Sequence, residues 1–167
     1  MIVILEGLQG TGKTTICKEF EKEKGYLTHS TYHCSIQYEK NKFMKIDMKK
    51  IPSLQEGHID WLWYYTLEQS YKILKPLENS TNIILVDRFA ISQLVFGDYR
   101  WVSKLKEFLK LKHKTFYLTK RNFESHELLT HQSYTTWFKT LSEPYIQFEI
   151  PNHREQLYET IRKLSHT

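Results

Sequence analysis

A chain of 167 residues, 40% hydrophobic and 26% charged, has the size and balance of one soluble domain with a real core. Its N-terminal apolar run is too short for a signal peptide and no later stretch approaches the roughly 20 apolar residues of a membrane span, so no membrane partner and a cytoplasmic location are expected. Cys17 and Cys34 are too few for a disulfide framework or a zinc site, and a net charge of +5 suits anionic partners, nucleotides and nucleic acid both qualifying.

In chain order, the apolar run Ile2 to Glu6 predicts a first strand, and Thr14 to Lys24 a helix. Between them Gly7, Gly12, Lys13 and Thr14 satisfy G-x-x-x-x-G-K-[ST] in the strand, loop, helix context that this motif requires. Glycines at 7, 10 and 12 let the backbone curl so that successive N–H groups face phosphate oxygens, and the helix adds its positive N-terminal dipole. Lys13 can reach the terminal phosphates as a mobile charge, and the Thr14 hydroxyl can ligate Mg2+. The stretch Gly7, Gly10, Thr11, Gly12, Lys13, Thr14, Thr15 is therefore assigned to a nucleoside triphosphate with magnesium.

A second strand is expected over Gly25 to Tyr32, and a long helix from about Leu54 to Leu77, where Ile59, Leu62, Trp63, Thr66, Leu67, Ser70, Ile73 and Leu74 recur at helical spacing. "NIILVD", Asn82 to Asp87, and "KTFYLT", Lys114 to Thr119, read as buried strands. "YIQFEI", Tyr145 to Ile150, lies between Pro144 and Pro151 and precedes a closing helix, Asn152 to Ser165. The lysine-rich runs Lys40 to Lys50 and Lys104 to Lys114 read as solvated helix faces, with an anion footprint as the rival reading. Five strands alternating with helices imply an α/β fold, a parallel sheet covered on both faces, whose ligands sit beyond the carboxyl ends of the strands. That edge directs attention to Asp87 and Arg88. The carboxylate can order magnesium, and the guanidinium can clamp a phosphate with two parallel bonds.

"EGLQGTGKTT", a helix ending in "KILKP", then "IILVDRF" and "SQLVFGDYR" resemble the thymidylate kinase and deoxynucleoside kinase branch of P-loop kinases, above all its compact bacteriophage members. The resemblance covers about residues 1 to 119. It implies a three-layer P-loop kinase fold with a five-stranded parallel sheet and a short lid, and ATP-dependent phosphorylation of a pyrimidine deoxynucleoside monophosphate by a monomer or homodimer. It places Glu6 where deoxynucleoside kinases keep a general base, Arg88 on the arginine that holds the acceptor, and Asp87 on the acidic residue near magnesium. Ser92 and Gln93 fall where the base edge is read, with Phe96 below as a stacking surface. Gln9 stands where thymidylate kinases carry an acidic residue that contacts the sugar, and Thr66 where they carry an arginine.

The lid segment, about residues 120 to 136, offers Lys120 and Arg121 instead of several arginines, and Arg121 is taken as a donor contact. Within it "HELLTH" imitates a zinc-binding helix, but its histidines are five apart, about 500° round a helix, and leave the shared face one metal needs. "TKRN" imitates a guanine-reading element without the carboxylate that guanine requires. A planar base favours an aromatic wall, and one of Trp63, Tyr64 or Tyr65 on the long helix is expected to supply it. Two other chemistries fit the same motifs: phosphorylation of a nucleoside 5′ hydroxyl or of a hydroxylated base in DNA, and a nucleotide switch or sensor with no acceptor.

Overall fold

The computed structural model describes residues 1–31, 35–39, 42–45, 59–96 and 102–164, with the side chains of 35–39, 42–45, 59–63 and 65 excepted. The elements run β1 (Ile2–Gly7), α1 (Lys13–Glu21), β2 (Tyr26–Ser30), β3 (Ser35–Glu39), β4 (Lys42–Lys45), α2 (Ile59–Leu74), β5 (Ile83–Asp87), α3 (Ala90–Phe96), α4 (Val102–Phe108), β6 (His113–Thr119), α5 (Ser125–Thr140), β7 (Ile146–Glu149) and α6 (Arg154–Leu164). Five strands are parallel in the order β2, β5, β1, β6, β7, and the antiparallel pair β3 and β4 extends the sheet beyond β2. The expected parallel sheet is present, enlarged by a hairpin. Lys42 and Lys45, read as part of a helix face, lie in a strand.

The period of two along the strands distributes the core. Val3 and Leu5 of β1 turn to one face with Leu85, Phe116 and Leu118, and are covered by Ile16, Cys17 and Phe20 of α1 and Leu157 and Ile161 of α6. Ile2 and Ile4 turn to the other with Ile84 and Val86, and are covered by Leu67 and Leu74 of α2, Leu94 of α3 and Leu105 and Phe108 of α4. A third cluster joins Tyr117 of β6 to Ile91 of α3 and to Tyr134 and Phe138 of α5. Glu6 shares the parity of Ile2 and Ile4, so its carboxyl is driven into the interior on the α3 side. No described helix is long and apolar enough to cross a membrane.

Residues 120 to 136, expected as a lid, comprise a short loop and most of α5. That helix opens on a reciprocal cap, in which the Glu124 side chain accepts from the backbone of Glu127 and the Glu127 carboxylate accepts from the Glu124 amide at 3.2 Å. His126 is exposed beside Glu124, whereas His131 turns inward to the Tyr117 hydroxyl at 2.7 Å. The two histidines thus face apart, as their spacing requires.

His29 on β2 is fully buried, its Nε2 lying 2.8 Å from Ser70 Oγ, and its Nδ1 has no hydrogen-bond partner among the described residues. Burial pulls its pKa from 6.5 down to about 4. The folded ring stays neutral while the unfolded one takes up a proton, so its contribution to stability is complete above pH 6.5 and is lost as pH falls toward about 4. At about 1.4 kcal/mol per pKa unit the loss approaches roughly 3 kcal/mol. His29→Gln is expected to flatten the fall in melting temperature between about pH 7 and about pH 4.5; an unchanged fall would remove His29 as its source.

Candidate active site

The parallel strands bring four chain segments to one edge: the loop after β1, Ser30 and Thr31 at the end of β2, Asp87 and Arg88 at the end of β5, and Lys120 after β6. They surround a cleft of about 320 Å³ lined by Gln9, Gly10, Gly12, Lys13, Thr14, Thr15, Ser30, Asp87 and Arg88. A Cβ on Gly7 would overlap the Leu118 carbonyl oxygen of β6, so only glycine lets β1 pass into the loop this close to its neighbour. Gly12 caps α1 in the left-handed region at φ 84°, which a side chain would resist, and the helix starts at Lys13 with its N-terminus toward the cleft.

Lys13 Nζ donates to the carbonyls of Leu8 at 2.6 Å and Gly7 at 3.1 Å and lies 3.3 Å from Thr11 Oγ1. The Thr11 hydroxyl donates to Leu8 O at 2.7 Å, tying the loop across its own ring. Burial, assisted by the Arg88 charge, pulls the Lys13 pKa down to about 7, against the opposing carboxylates of Asp87 and Glu6. Thr14 Oγ1 donates to Asp87 Oδ2 at 2.8 Å, which places two hard oxygen ligands side by side at the cleft. That pair fits a magnesium ion, which binds through one or two protein oxygens and keeps several waters.

Arg88 sits at φ 67°, a left-handed conformation that costs a non-glycine residue about 1–3 kcal/mol. Three contacts hold it there: its N–H donates to Leu5 O at 2.9 Å, its carbonyl accepts from Thr31 Oγ1 at 2.7 Å, and its Nη1 donates to Tyr134 OH at 2.7 Å. The Phe96 ring lies 5.0 Å from the guanidinium carbon. Phe96 thus stacks on the arginine at a position where a stacking surface for a base is expected.

Glu6 is completely buried. Its Oε1 accepts from Ser92 Oγ at 2.5 Å and from Phe89 N at 3.3 Å, and its Oε2 from Ser92 N at 3.1 Å. Burial raises its pKa, opposed by the Ser92 hydroxyl and the Arg88 charge; three converging donors favour the ionised form. The carboxylate therefore closes the start of α3. Glu6→Gln would turn an NH2 toward backbone N–H donors. The variant is expected to lose about 1–3 kcal/mol of stability in denaturant titration, while the folded fraction loses roughly tenfold or less in turnover, well short of the 10² to 10⁴ of a missing general base.

Ser92 is buried in this network and Gln93 is buried beside it. Tyr64 lies in the core with its ring 5.9 Å from Phe108 and the Lys104 ammonium 5.5 Å from its face; it packs against α4 and is not among the residues that line the cleft. Trp63 and Tyr65 fall outside the described side chains. Arg121 is exposed and is not among the cleft residues, whereas Lys120 Nζ stands 3.6 Å from where a Cβ on Gly10 would be and is ion-paired to Glu127. Sequence reasoning missed Ser30, Thr31 and Tyr134. Their only signal is place in the fold, a strand end for the first two and a helix facing α3 for the third.

The three layers, the loop between β1 and α1, and the acid and arginine at the neighbouring strand end define the P-loop kinase fold. The chain is similar over its whole length to thymidylate kinase from Ehrlichia chaffeensis, at 15% identity over 98% of each chain with a TM-score of 0.61. It is similar to the YorR protein of Bacillus subtilis, whose structure is a complex with phosphorylated GDP, at 16% identity over 99% of this chain and 98% of that one, TM-score 0.54. Shikimate kinase from Aquifex aeolicus matches at 13% identity over 98% and 95%, TM-score 0.51. No protein-family model and no curated protein matches the sequence.

Proposed function

We propose that this protein transfers the γ-phosphoryl group of ATP to the phosphate of a deoxynucleoside monophosphate, with a pyrimidine base preferred. The observation that carries the choice of acceptor is the occupation of Glu6. Its carboxylate spends both oxygens on Phe89 and Ser92, so the position where a general base would deprotonate a hydroxyl is taken. A monophosphate is already anionic near neutral pH and needs a positioned cation more than a base. Arg88, fixed at the cleft, supplies that cation.

In this reading the donor lies along Gly7, Gly10, Thr11, Gly12, Lys13, Thr14 and Thr15, with Gln9 and Arg88 toward the acceptor. Thr14 and Asp87 would hold magnesium, which neutralises charge on the donor phosphates. Lys13 places its ammonium where negative charge builds up during transfer, and Lys120 brings a second cation over Gly10 from the start of the segment that carries the lid in the resembled kinases. The deoxynucleotide and the pyrimidine rest on the resemblance of "IILVDRF" and "SQLVFGDYR" to thymidylate kinases, in company with the fold shared with the Ehrlichia enzyme.

A coupled assay of ADP release across nucleosides, deoxynucleoside monophosphates and DNA oligonucleotides tests the proposal. Turnover confined to monophosphates, strongest with pyrimidines, is expected. Turnover with nucleosides or DNA in their absence would assign a hydroxyl acceptor instead.

A further inference from the structure

We propose that Tyr134, on α5, is a positioning residue for the acceptor: its hydroxyl fixes the Arg88 guanidinium so that the remaining Nε and Nη2 donors form the fork that receives the acceptor's phosphate. The inference rests on the monophosphate reading above and names the residue on which its selectivity turns.

With Glu6 ionised, the hydrogen bonds have one consistent direction. A guanidinium can only donate and an ionised carboxylate can only accept, so the chain runs from Arg88 Nη1 to Tyr134 OH at 2.7 Å, from Tyr134 OH to Ser92 Oγ at 2.7 Å, and from Ser92 Oγ to Glu6 Oε1 at 2.5 Å. Arg88 Nη1 also reaches Ser92 Oγ at 3.2 Å. Two buried hydroxyls thus connect the cation to its counter-charge without a direct pair, which would draw the guanidinium down onto Glu6 and away from the cleft. Among the described residues the side-chain hydrogen bonds of Arg88 leave through Nη1. The opposite edge of the plane keeps the paired donors that match two oxygens of a phosphate.

Tyr134 cannot drift. It is fully buried, its ring packed 5.2 Å from Tyr117 and 6.1 Å from Phe138. Burial also pushes its phenol well above the usual range, so it remains a neutral donor and acceptor throughout the working pH. Glu127, seven residues earlier and therefore on the same face two turns away, holds Lys120 over the P-loop. One face of α5 thus carries the anchors of two cations, one at each phosphate.

The test compares Tyr134→Phe, Arg88→Ala and the double variant. Tyr134→Phe is expected to raise the acceptor KM about tenfold, the scale of one charge-assisted hydrogen bond, with kcat and donor KM little changed. In the Arg88→Ala background it should add nothing further, because its effect passes through the arginine. Independent losses that multiply, or a fall in kcat with both KM values intact, would overturn the proposal. A second readout needs no substrate. The Arg88 side-chain nitrogens of the wild type should show slow guanidinium rotation by NMR, lost in Tyr134→Phe and in Ser92→Ala; fast rotation in the wild type would overturn the proposal even if one variant failed to fold. A wild type that phosphorylates no monophosphate yet shows the immobilised arginine would defeat the functional reading alone.

Discussion

Lys13→Ala is expected to lower the rate of phosphoryl transfer at least about a hundredfold, the scale of losing one preorganised electrostatic group, while the protein stays folded. The ammonium is buried and held by the carbonyls of Gly7 and Leu8, so it stands at the loop before any ligand arrives and needs little reorganisation. The fold should survive because the core on both faces of the sheet is built without it. A pH dependence follows from the same burial. With its pKa pulled down to about 7, Lys13 loses its proton above neutrality, so the affinity for ATP should weaken as pH rises through that value. Circular dichroism together with single-turnover kinetics checks both statements. Near-normal transfer by the folded variant would remove the loop from the chemistry.

Arg88→Lys is expected to weaken acceptor binding by about thirtyfold to a hundredfold, because an ammonium cannot reproduce two parallel bonds to a phosphate. Donor binding should change little. Lysine would also lack the second edge that lets the guanidinium bond Tyr134 through one nitrogen and still present paired donors to a phosphate. Titration calorimetry with the two ligands separately gives the comparison, and equal losses on both would place Arg88 at the donor instead.

The strands of the sheet's centre were legible because each is a short apolar run, and "IVIL", "NIILVD" and "KTFYLT" lie within a residue or two of β1, β5 and β6. The hairpin was not. "SIQYE" and "KFMK" are short, largely polar strands beyond β2, and β4 lies inside a lysine run that resembles a solvated helix. α5 was hidden for another reason: it buries only Tyr134 and Phe138, too few apolar positions to set a period of 3.6. The P-loop, Asp87 and Arg88 could be read because each belongs to a local motif. Tyr134 could not, since its bond to Arg88 spans 46 residues and exists only once β6 lies beside β1 and α5 packs on α3. Glu6 shows the converse. Its position is given by the resemblance to deoxynucleoside kinases, but its hydrogen bonds to α3 follow from the three-dimensional start of that helix.

Transfer of label from γ-labelled ATP, with the product resolved by chromatography and the labelled phosphorus located by stepwise phosphatase digestion, tests the central claim most directly. The account predicts label in the β position of a deoxynucleoside diphosphate, with at least about a hundredfold less transferred by Lys13→Ala at comparable times. Label in a nucleoside 5′-monophosphate or in DNA, or released only as inorganic phosphate, would contradict it.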